Sequence, residues 1–141
     1  MYEEDAIPYD VCEGIMKKSI KKPYNVWCET LKANVWVFYG FSRAEYTKSV
    51  SKYFNIDTVL AESTIGKMEV FSSGREEIIC VWTENKDISV LAHEIIHAMT
   101  FLLDSKGVPI SYDNDEILCY YVEWMLDKVL TNEKKKRGRG K

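Results

Sequence analysis

From residue 88 onward the apolar positions recur in threes and fours. Leu91, Ile95, Ala98 and Leu102 fall on one helical line, and Ile96, Met99 and Leu103 on a second. A helix apolar around so much of its circumference predicts a central, covered element. Asp87 stands ready to cap its start, and Gly107 and Pro109 end it. Beyond the break, Leu118, Tyr121, Val122, Met125 and Val129 form one stripe of a last helix, with Asp113 and Glu116 in capping-box spacing at its head. Upstream the periods differ. "NVWVFYGF" at 34–41 is β-branched and aromatic without interruption, as a strand buried on both faces would be. Ser42 and Glu45 form a capping box for a helix to about Phe54 that turns Val50 and Phe54 inward. Residues 66–84 predict a β-hairpin turning at Ser73-Gly74, with Ile78, Cys80 and Trp82 alternating against Ile79 and Val81. Asp10 and Glu13 form a third box, for a short helix carrying Val11, Ile15 and Ile20 and ended by "KKP" at 21–23. Residues 24–33 show no clear period.

The order is helix, strand, helix, strand, strand, helix, helix. It predicts an α+β fold, a small antiparallel or mixed sheet packed with helices. With 141 residues, 46% hydrophobic and 13% aromatic, the chain suffices for one domain with a real core. The expected division is a single domain over 1–133 and a basic, disordered tail over 134–141.

Charge changes the picture. The closing "KKKRGRGK" holds six of the 19 basic residues, which leaves 13 basic against 22 acidic side chains over residues 1–133. An acidic body repels phosphates, so nucleic acid is an expected partner only for the tail. No apolar run is read as membrane-spanning, and the acidic opening "MYEEDAIPYD" lacks the basic start of a signal peptide, so a cytoplasmic protein is expected. Cys12, Cys28, Cys80 and Cys119 are scattered and form no CxxC pair. They are read as reduced thiols packing as small apolar groups, and any metal falls to histidine and carboxylate.

Both histidines of the chain lie in "LAHEIIHAM", four positions apart, with Glu94 directly after the first. Residues i and i+4 share a helix face, so His93 and His97 can address one atom, as tetrahedral zinc requires. Glu94 sits about 100° around from His93, too far for an obvious ligand but within reach of a metal-bound water as general base. A catalytic zinc takes a third protein donor, which must come from outside this helix. Glu116 is the favoured candidate, with Asp115, Asp113 and Cys119 behind it, and its competing role is that of a cap. Tyr112, Tyr120 and Tyr121 are candidate oxyanion donors, and each is equally a packing aromatic. An edge strand of the 66–84 hairpin could pair with an extended substrate backbone.

HEIIH at 93–97, the helical break and Glu116 at the head of the next helix resemble the gluzincin branch of the zincin metallopeptidases. "EILCYYVEWML" resembles the Glu-x-x-Ala-x-x-Phe helix of ImmA/IrrE-type peptidases, with Cys119 where Ala is usual. More loosely, the chain is similar to small phage-encoded HExxH proteins, which would place it in a host cytoplasm. The resemblance implies a minimal zincin-like domain with HExxH on a central helix. It implies zinc on His93, His97 and Glu116, Glu94 as base, and hydrolysis of a peptide bond in a peptide or protein substrate. The thermolysin-like pattern has an Asp four positions beyond the glutamate, where this chain has Tyr120. A second class of function stays open: a zincin-like domain that holds zinc without catalysis and acts by binding a protein or nucleic-acid partner.

Overall fold

The computed structural model describes residues 21–139. The helix expected from Asp10 to the "KKP" break, and Cys12 with it, lie outside the described residues. Seven elements follow: β1 (Tyr24–Cys28), β2 (Ala33–Tyr39), α1 (Arg43–Phe54), β3 (Gly66–Ser73), β4 (Glu76–Thr83), α2 (Ile88–Ser105) and α3 (Asp115–Arg139). The fold is α+β, with a mixed sheet in the order β1-β2-β4-β3. β1 is antiparallel to β2, β2 runs parallel to β4, and β3 returns antiparallel to β4 as the outer strand.

Period-2 alternation sorts the strands onto two cores. Val26, Val35, Val37, Ile79 and Val81 face α2 and α3, whereas Phe38, Cys80 and Trp82 face α1. β2 and β4 are thus covered on both sides, which is why their sequences run apolar without a break. On the α1 side Trp82 stacks on Tyr46, with centroids 5.3 Å apart, and its indole N–H donates to the Phe41 carbonyl at 2.8 Å. That bond satisfies the polar edge of an otherwise buried ring.

Each helix has a local cause. At α1 the reciprocal box of Ser42 and Glu45 is formed, and Asn55 closes the helix in the left-handed region at φ 57°. At α2, Asp87 accepts from the N–H groups of Ser89 and Val90, and Gly107 takes φ 85° just past the end. Leu91, Ile95, Met99, Leu102 and Leu103 of α2 are buried. Burial stabilises by about 1.5–3 kcal/mol for each such side chain. Packing against the sheet therefore sets where α2 lies.

Several expectations are corrected. Residues 24–28 form β1, antiparallel to β2, so the stretch without a clear period holds a whole strand. The last helix starts at Asp115, so the Asp113–Glu116 box is not its cap. Asn114 shapes the turn instead, accepting from Ser111 N–H at 2.7 Å and donating to the Pro109 carbonyl at 3.0 Å. α3 continues into the basic run, through Arg139. Lys and Arg are good helix formers, and their charge complements the negative C-terminal end of the helix dipole. α2 is also long and apolar enough to cross a membrane by length and composition, with a mean hydropathy of 1.2 over 18 residues. Here it packs on the sheet. Nor is it covered all round: Ile96, His93 and His97 are exposed.

Candidate functional site

The two histidines project from the open strip of α2, one turn apart. Their rings meet edge to face, with centroids 4.9 Å apart and planes at 71°. Glu94 points elsewhere. It is 8% exposed, wedged between α2 and the start of the outer strand β3 at Gly66. Burial pushes its carboxyl above the ordinary carboxylate range, against the opposing pull of His93, His97 and the Met68 N–H.

The approach of α2 to β3 at this point depends on Gly66. A Cβ there would lie 2.5 Å from Val90 Cγ1, 3.2 Å from the Trp82 carbonyl oxygen and 3.3 Å from Glu94 Oε2. The missing side chain lets the helix carrying the histidines close onto the edge of the sheet. Composition and period gave no reason to single out Gly66. Its signal is a glycine at the start of a strand, where backbone or side chain from another element comes close.

The donor chemistry fits a zinc ion in part. Two imidazoles on one exposed helical turn supply the nitrogen half of a site. Among the described residues no three His, Cys, Asp or Glu side chains gather as a metal-holding group, so neither Glu116 nor its alternatives joins the pair. Glu116 and Asp115 lie exposed in the first turn of α3, and Asp113 is exposed in the turn before it. Cys119 is exposed too, on the wall of a groove of 530 Å³ that runs beside Ile96 between α2 and α3. Leu118, Val122, Leu126 and Leu130 line that groove together with the carboxylates Glu123 and Asp127. Glu123 is a carboxylate of α3 that spacing alone did not bring forward.

The tyrosines divide. The Tyr121 hydroxyl is engaged, 2.6 Å from Thr30 Oγ1 in the β1–β2 turn. Tyr112 and Tyr120 are 93% and 63% exposed. The edge strand expected from the hairpin is β3, and its start borders Glu94.

The described cysteines are free thiols. Cys28 and Cys80 are buried, as expected of small apolar groups, and burial pushes the Cys80 thiol well above the ordinary range. At the far end of α3, Glu133 is buried and receives the Tyr24 hydroxyl and the Lys86 ammonium. No protein-family model, curated protein or solved structure matches the chain.

Proposed function

We propose that the chain is a zinc-dependent metallopeptidase that hydrolyses a peptide bond. The observation that carries this reading is the division of labour on one helical turn. His93 and His97 stand side by side in the open, and Glu94 is buried between them and the sheet edge. His93 and His97 would hold the ion, and Glu116 is the carboxylate proposed to complete its shell. When bound, zinc would lower the pKa of a water toward about 7 and polarise the scissile carbonyl.

The chain's own groups supply the rest. Glu94, with its raised proton affinity, is suited to take a proton from the attacking water and return it to the leaving amine. β3, an outer strand beside that carboxylate, offers backbone partners to an extended polypeptide. Tyr112 and Tyr120 are the exposed phenols proposed as oxyanion donors.

A second reading has its own support. Because no third donor among the described residues gathers with the histidines, a domain that holds zinc and acts by contacting a protein or nucleic-acid partner also suits this geometry. The basic end of α3 is its natural contact surface. Glu94→Gln separates the two. In the peptidase the variant keeps zinc and loses turnover by roughly 10²-fold or more, the scale of a lost general base. In the binding domain it keeps the full biological effect, and removal of residues 134–141 abolishes it.

A further inference from the structure

α3 carries its charges in two blocks. Asp115, Glu116, Glu123 and Asp127 fall in its first half, and Lys128, Lys134, Lys135, Lys136 and Arg137 in its second. The acid of the second half, Glu133, is buried and already paired with Lys86. Glu123, Asp127, Leu130, Lys134 and Arg137 follow one another in alternating steps of four and three, the spacing of a single helix face. Its four charged members are exposed. The groove of 530 Å³ beside Ile96 shares Asp127 and Leu130 with a second hollow of 460 Å³, which Lys134 and Arg137 also line. The two hollows form one trough, apolar and acidic at its start and basic at its end. Among the described residues, none of Glu123, Asp127, Lys134 and Arg137 makes an ion pair within its own chain.

We propose that this trough is covered by the same trough of a second copy of the chain, with the two α3 helices antiparallel about a two-fold axis. The charges choose the direction. A parallel pairing in register would set Glu123 on Glu123 and Lys134 on Lys134, like charge on like. An antiparallel pairing centred between Lys128 and Val129 sets Glu123 opposite Lys134 of the second copy, and symmetry makes that contact twice. Arg137 then falls between Glu116 and Glu123 of the second copy, and Asp127 lies opposite Leu130. A two-fold contact is self-complementary only where one surface carries both signs, and the two blocks of α3 supply them. From Leu118 to Arg137 each copy offers roughly 28 Å of helix. That is a small specific interface, so the association should be micromolar and reversible. The dimer rests on neither the peptidase nor the zinc-binding reading.

The test uses the full chain without metal and follows its mass in solution by sedimentation equilibrium. A range of about 1–100 μM is where mass action reveals a micromolar dimer. A dimer is expected at low salt, and added salt should weaken it because exposed charges are screened. Glu123→Lys and Lys134→Glu alter exposed side chains, so each variant should keep the circular dichroism and melting of the parent. In its own homodimer each variant sets two like-charge pairs and should bind about tenfold more weakly or worse. Mixed in equal amounts, the two variants should regain the parent affinity, because each mixed dimer again sets acid against base at both positions. A monomer at every concentration overturns the dimer and leaves the trough to a helix of another protein. A dimer that both variants keep at parent affinity uses another face and overturns the assignment. A mixture no tighter than the separate variants overturns the antiparallel register.

Discussion

The Tyr24 hydroxyl donates to Glu133 Oε2 at 2.5 Å, joining the first strand to the last helix across 109 positions of sequence. Glu133 also takes the Lys86 ammonium at 2.7 Å, so the start of β1, the loop before α2 and the distal part of α3 meet at one buried carboxylate. Burial alone would raise its proton affinity, but the bonds from Lys86 and Tyr24 outweigh it and hold the carboxyl below its ordinary range. A depressed carboxyl contributes stability that is full above its unfolded pKa and is lost as pH falls through the folded one. Acid unfolding should therefore set in below about pH 4.5. Glu133→Gln should flatten that pH dependence and cost about 1–3 kcal/mol at neutral pH. Urea titrations at pH 7 and pH 4 check both; an equal loss at the two pH values counts against this role.

Gly66→Ala places a methyl group 2.5 Å from Val90 Cγ1, closer than packed atoms come. Overpacking of this kind costs about 1–3 kcal/mol. Val90→Ala in the same chain should recover most of the loss, because it removes the atom in the way. A double-mutant cycle by thermal melts would show strong coupling, and simple additivity would place the strain elsewhere.

For the proposed zinc site, one ion per chain is expected, released at low pH because imidazole binds only when neutral. His93→Ala and His97→Ala should each abolish stoichiometric binding. Glu116→Ala should weaken it and Asp115→Ala should not. Metal analysis of protein purified without a metal resin decides the first point, and a competition titration the second. Unchanged affinity in Glu116→Ala would return Asp115, Asp113 and Cys119 as candidates for the third donor.

Metal removal should leave the fold standing. The buried leucines, Ile95 and Met99 of α2 rest on the sheet whether or not an ion is present. Far-ultraviolet circular dichroism should be the same with and without chelator at 25 °C. Wholesale unfolding on chelation would instead make zinc a structural requirement.

How far the sequence was legible varied with the kind of signal. Ser42, Asp87 and Gly74 act within a few residues, so spacing alone located α1, α2 and the hairpin, although its turn is Gly74-Arg75, one residue beyond the expected Ser73-Gly74. β1 escaped because its alternation, with Val26 and Cys28 inward and Trp27 outward, covers only five residues. The histidine pair was visible from the four-residue spacing, which a helix converts directly into adjacency. What surrounds it was not. The burial of Glu94, the space left by Gly66 and the engagement of Tyr121 with Thr30 depend on how separate elements pack. No local period encodes that.

The parallel pairing of β2 with β4 has a consequence for the chain as it is made. Val35 through Tyr39, an apolar run, must wait for Ile79 through Thr83 before that edge is closed. At ribosomal speeds of about 5–20 residues per second, roughly 2–8 s of synthesis separate the two strands. During that interval the nascent protein presents an open, sticky strand to its neighbours. Crowded translation is therefore a stage at which this fold is open to clumping.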